Sequence, residues 1–192
     1  AAIARGTSFL KDRLGERIFP DAIRIIDDPL RKRGLQSRPF DAEGIATRPM
    51  ELVAEGVLKG RLLDLASAAE LGMSTTGHAR RGVRSAPSPG PTNLALMEGA
   101  ISPEALIAET GRGLYVTDLI GHGVNLVTGD YSRGASGFLI EDGRLAAAVS
   151  EITLAGNLND MFATLTAADD LVWRYGTNAP TLRVEAMTVA GR

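Results

Sequence analysis

The stretch GFLIEDGRLAAAV, residues 137–149, carries the plainest structural signal in the chain. Two runs, GFLIE and RLAAAV, flank Asp142-Gly143. A type I′ turn needs positive φ at both central residues, and Asp-Gly accepts that at little steric cost. An antiparallel hairpin is therefore predicted here. A second pair of runs, PMELVA and VLKGRLL within residues 48–63, flanks Glu55-Gly56 and reads the same way. Outward from these hairpins, strands are predicted at 22–27 (AIRIID), 92–98 (TNLALME), 114–120 (LYVTDLI) and 181–189 (TLRVEAMTV). In the last of these, Leu182, Val184 and Ala186 alternate with Arg183 and Glu185.

Helix signals are fewer and shorter. Residues 7–15 offer Ser8 as a cap, Leu10 and Leu14 on one face, and Gly15 as a stop. Residues 65–71 read as a helix ended by Gly72. Ser102-Pro103-Glu104 opens another, with Ser as N-cap, Pro at the first helical position and Glu favoured by the dipole. Asn157 caps a fourth, whose Leu158, Met161, Phe162 and Leu165 fall at i, i+3, i+4 and i+7. Three segments read as loops: polar 31–44, Ser/Thr/Gly/Pro/Arg-rich 74–91, and glycine-rich 121–137. Strands outnumber helices, and no βαβ rhythm is present. The predicted class is α+β: a mainly antiparallel or mixed β-sheet, able to curl into a barrel-like form, with a few short helices packed on one side.

Composition limits the chemistry. A chain of 192 residues can bury a core without disulfides or metal staples. It has no cysteine, which removes thiolate catalysis, disulfides and Cys-based metal sites. The net charge of -2 gives no reason to expect a nucleic-acid or anionic-membrane partner. No apolar run is long enough to span a bilayer, and the amino end AAIARGTSFL has no signal-peptide core and no initiator Met. The expectation is a cytoplasmic protein, either processed or part of a longer chain.

His78 and His122 are the natural candidates for metal or acid–base work. Neither sits in an HExxH-type helix, and a hydrolase built on them needs a carboxylate such as Asp130 to converge with both. The run Gly129-Asp130-Tyr131-Ser132-Arg133-Gly134 suggests an anion nest, but it matches neither GxxxxGK[ST] nor GxGxxG. The plainer reading is a shaped turn, with Arg133 bridging to a carboxylate. The adjacent pairs Asp27/Asp28 and Asp169/Asp170 point apart in extended chain and read as end caps. Arg80, Arg81 and Arg84 can take a carboxylate or an acidic peptide, or can simply be solvated.

Read as a string, residues 113–161, GLYVTDLIGHGVNLVTGDYSRGASGFLIEDGRLAAAVSEITLAGNLNDM, closely resemble the carboxy-terminal region of the TldD/PmbA family. GDYSRGASGF and EITLAGNL are the most recognisable marks. SRPFDAEGIATR (37–48), LGMSTTGHA (71–79) and the closing MTVAG also fit, on the PmbA/TldE-like branch. The resemblance implies a carboxy-terminal domain, with residues 1–15 matching the end of a preceding segment and the upstream domain absent. It also implies a subunit of a TldD/TldE-type metalloprotease complex acting on peptides, once described as a modulator of DNA gyrase. The metal-binding HExxxH helix of the TldD branch has no counterpart here, and Tyr175 falls where that branch has a metal-binding Cys. The resemblance therefore implies a non-catalytic domain for assembly and peptide presentation. Such a domain carries no cofactor of its own, with zinc in a TldD-like partner, and it self-associates. The expected substrate- or partner-facing residues are His78, Arg80, Arg81, Asn93, His122, Asp130, Ser132 and Arg133. The alternatives are a self-sufficient hydrolase using His78/His122, or a gyrase-linked regulator.

Overall fold

The computed structural model describes residues 2–185 and 187–191. In chain order the elements are β1 (Ile25–Asp27), β2 (Met50–Ala54), β3 (Val57–Leu58), α1 (Leu65–Glu70), β4 (Ala79–Arg80), β5 (Ser88–Pro89) and β6 (Leu94–Leu96). Next come α2 (Pro103–Glu109), β7 (Arg112–Ile120), β8 (Asp130–Glu141), β9 (Arg144–Asn157) and α3 (Leu158–Ala163). The chain closes with β10 (Thr166–Ala167), β11 (Thr177–Asn178), β12 (Leu182–Arg183) and β13 (Thr188–Ala190).

Two larger sheets organise the molecule. The first is mixed, in the order β11-β6-β1-β2-β3, with β11 parallel to β6 and the other pairs antiparallel. The second is antiparallel, in the order β13-β9-β8-β7, and is dominated by the long β8–β9 hairpin. Both predicted turns form: Glu55 and Gly56 lie at φ 49° and 73°, Asp142 and Gly143 at φ 49° and 73°. These are the double positive angles of a type I′ connection. The barrel expectation is not met. β7 and β13 are open edges of the second sheet among the described residues.

Each sheet has its own core. Ile18, Phe19, Ile23, Val53, Leu58, Leu165 and Ala167 fill the first, and Ala135, Ile152 and Leu154 the second. Fully burying a side chain such as Phe19 contributes on the order of 2 kcal/mol. α3 joins the two. Its Phe162 ring lies 4.5 Å from that of Phe19, and Met161 packs beside Gly156 of β9. The stripe predicted for this helix is therefore shared between the cores, with Leu165 just beyond its end.

Three expectations need correction. Residues 7–15 form turns, not a helix: the Phe9 amide donates to Leu126 and the Gly15 amide to Leu58, so long-range partners take the donors a helix would use. The glycine-rich loop 121–137 is a loop only to Gly129; from Asp130 onward it is strand β8. The closing strand is split into β12 and β13, and the expected inward Ala186 lies outside the described residues. Among the described residues no helix is long and apolar enough to cross a membrane.

Candidate functional site

β1 is the middle strand of the first sheet, and its last residue, Asp27, is completely buried. A buried carboxylate needs partners. One oxygen accepts from the Thr92 amide at 2.9 Å. The other accepts from the Thr92 hydroxyl and from His78 Nε2, both at 2.8 Å. His78 is likewise fully buried, and its Nδ1 lies 3.0 Å from the Thr76 hydroxyl. With the proton on Nε2, a neutral imidazole satisfies both contacts, donating to Asp27 and accepting from Thr76. Both ring nitrogens are therefore committed to structural bonds.

Asn93 is equally interior. Its Nδ2 donates to the Asp28 carbonyl and the Ser37 hydroxyl, and its Oδ1 accepts from the Gln36 amide. It pins the loop 28–38 onto the sheet. Asp41 does the same for the next turn, accepting from the amides of Glu43, Ile45 and Ala79. Burial works to raise the Asp41 carboxyl, but those amides and the Arg38 guanidinium hold it below its ordinary value. His78 and Asn93, expected to face substrate, instead hold loops in place.

The other expected residues are dispersed. His122 is exposed on the β7–β8 connection. Asp130 and Ser132 are exposed at the start of β8, where Asp130 accepts from Thr128 and Asn157. Those two hydrogen bonds outweigh a small effect of burial and hold its carboxyl low. Ser132 donates its amide to Gly123. The amides of this run serve the strand ladder and the turn, so they form no anion nest. Arg133 donates to the Leu119 carbonyl at 3.0 Å, not to a carboxylate. Arg80 and Arg81 are exposed on and after β4. His78, His122 and Asp130 are not brought together. Among the described residues no three His, Asp or Glu side chains are placed to hold a metal ion.

A different feature is better formed. The inner face of the second sheet, α2 and residues 181–185, Met187 and Val189 enclose a half-open cavity of about 670 Å³. Leu106, Ile107, Leu114, Val116, Leu154 and Met187 make its wall apolar. Arg183, paired with Glu109 at 3.1 Å, stands at the wall between α2 and β12. Volume and lining suit a ligand side chain or small molecule. Five successive residues of the edge strand, Arg112 to Val116, line it. Sequence reasoning missed this cavity because its walls come from segments far apart in the chain.

A family model described as PmbA/TldA metallopeptidase C-terminal domain matches residues 1–191. The chain belongs to the PmbA/TldD family. It is 39% identical over 192 residues to the metalloprotease PmbA of Escherichia coli O157:H7, covering 100% of this chain and 41% of that protein. It is 41% identical over 191 residues to the PmbA homolog of Haemophilus influenzae, covering 99% and 41%. TldE from Thermococcus kodakarensis shares the structure with a TM-score of 0.88 at 27% identity, over 99% of this chain and 44% of that one. The chain thus spans about two fifths of the length of these PmbA/TldD relatives. The GDYSRGASGF and EITLAGNL marks fall largely on strands β8 and β9, and contribute Tyr131 and Leu154 to the cavity wall.

Proposed function

We propose that this chain is a non-catalytic carboxy-terminal domain of a PmbA/TldE-type subunit, which assembles with a zinc-holding TldD-like subunit and presents extended peptide to it. The observation that carries this reading is β7. It is nine residues long, it is an open edge of its sheet among the described residues, and it lines the apolar cavity. An extended peptide added to such an edge gains main-chain hydrogen bonds that are indifferent to sequence, while alternate side chains reach the pocket. Family membership supports the proteolytic setting, and the scattered acidic and histidine residues support a partner as the source of the metal.

The test is peptide binding to the chain, followed by fluorescence anisotropy. An extended peptide with apolar residues at alternate positions should bind. N-methylation of its edge-facing amides should abolish binding, because that removes donors without removing side chains. Equal affinity for the methylated and unmethylated peptides would overturn the strand-addition reading.

A further inference from the structure

Asp27 staples the two feet of a short hairpin. One foot is His78, whose Nε2 lies 2.8 Å from the buried carboxylate. The other is Thr92, which gives that carboxylate an amide at 2.9 Å and a hydroxyl at 2.8 Å. Between the feet β4 and β5 pair, Ala79 with Pro89 and Arg80 with Ser88. The Gly90 amide donates to the His78 carbonyl and the Ala79 amide to Asp41, both at 2.9 Å. Arg80 lies along this base, where a Cβ on Gly90 would come within 2.7 Å of its Cδ. Pro87, Pro89 and Pro91 fix φ along the returning limb. The base of the hairpin is therefore held rigidly on the first sheet.

Its tip is bare. Residues 81–86 are all exposed, and Val83, at 105%, has none of its side chain covered. The tip is nonetheless shaped, the Gly82 amide donating to the Ser85 hydroxyl at 2.8 Å. A lone exposed valine needs no explanation. This one stands between Arg81 and Arg84, which make no ion pair among the described residues. Residues 71–97 contain no Asp or Glu, although the chain as a whole has a net charge of -2. The tip thus presents uncompensated positive charge around an apolar side chain, and carboxylates on another molecule are its electrostatic complement. Arginine is enriched among the residues that dominate protein interfaces, and an element ordered in advance loses little entropy on docking. Two free cations are too few for a phosphate footprint, and residues 71–97 have no aromatic ring to stack on a base. One valine and two arginines hold a bilayer only weakly.

We infer that residues 79–89 form a docking arm, whose tip seats Val83 in a carboxylate-rimmed apolar pocket of the TldD-like subunit, with Arg81 and Arg84 on the rim. The inference rests on the assembly proposed above and names the surface that this chain contributes to it. The arm shares no residue with β7 or the apolar cavity, so docking and peptide addition use separate surfaces. The buried Asp27–His78–Thr92 cluster then has a purpose beyond stability, since it sets the direction in which the arm projects.

The experiment titrates the chain into the TldD-like subunit by calorimetry at low and at high salt. Wild-type affinity should weaken as salt rises, because the rim charges are screened. Arg81→Glu combined with Arg84→Glu should weaken binding at low salt by about tenfold or more, and Val83→Asp, which puts a charge into the apolar pocket, by a similar factor. Arg144→Glu, the same charge reversal on the exposed β8–β9 hairpin, should bind as wild type does. All four substitutions sit on exposed positions, and thermal melts check that each variant is folded. A complex that forms with undiminished affinity in the Arg81/Arg84 or the Val83 variant overturns the inference and leaves the assembly reading standing. Equal weakening by Arg144→Glu also overturns it, since the effect is then one of net charge. No complex with the wild-type chain overturns both. A DNA oligonucleotide or phosphatidylglycerol vesicles binding more tightly than the subunit, through the same tip residues, overturns the choice of a protein partner and with it the inference.

Discussion

The buried pair Asp27–His78 is a stability element, and its removal should register as such. His78→Ala leaves a buried carboxylate with the Thr92 contacts only, and losing a hydrogen bond to a buried charged group in this way costs about 1–3 kcal/mol. The check is a chemical or thermal melt; an unchanged midpoint would contradict the pair. Asp41, Asp64 and Asp170 give a pH signature. In each, burial works upward but is outweighed: by three amides at Asp41, by Ser67 at Asp64 and by Thr181 at Asp170. Their folded pKa values are depressed. The stability they contribute is therefore present above the unfolded value of about 4 and is lost as pH falls through the folded values. A melting temperature that is level near neutrality and drops below about pH 4, less steeply in Asp41→Asn, is the expected result. A lone histidine in a polar loop reads as a surface group, because its partner lies 51 residues earlier and nothing local betrays it. Asp27 left one trace in the sequence, as an acid closing an otherwise apolar strand.

The β8–β9 hairpin is the element on which the second sheet depends. Gly143 has φ 73°, and a Cβ added there would stand 2.6 Å from the Ala108 carbonyl of α2. Gly143→Val should cost about 1–3 kcal/mol from backbone strain alone, with the clash against α2 added. Urea melts of the two proteins measure this, and coincident midpoints would refute the turn. This hairpin was legible because Asp-Gly between β-prone runs is a local signal. The other half of β8 was not. Gly134, Ser136 and Gly137 look like loop residues, yet Gly137 pairs with Val116 of β7 beside a shift in register, where a Cβ would meet the Tyr115 carbonyl. Close backbone approach and flexibility leave the same mark in a sequence. The caps at Ser102 and Asn157 were read correctly, each accepting from an amide of the first turn. At residues 7–15 an equally good cap failed, because Ser8 closes only a local turn while Leu126 and Leu58 claim the amides of Phe9 and Gly15.

At the scale of the whole molecule, the second sheet is left open. β7 offers an edge unpaired among the described residues; its last residue, Ile120, is 66% exposed, and the chain beyond it exposes Leu126 at 56% and Val127 at 56%. Apolar residues gathered beside a bare strand edge mark a contact surface and promote association. Self-association of the isolated chain is therefore expected, with a TldD-like subunit competing for the same surface. The most direct test of the assembly reading is sedimentation velocity across a range of concentrations, run on the chain alone and with an equimolar TldD-like subunit. The expected result is a concentration-dependent dimer or larger species alone, replaced by a defined complex of the two proteins when mixed. A strictly monomeric chain at every concentration, with no change on adding the TldD-like subunit, would contradict it.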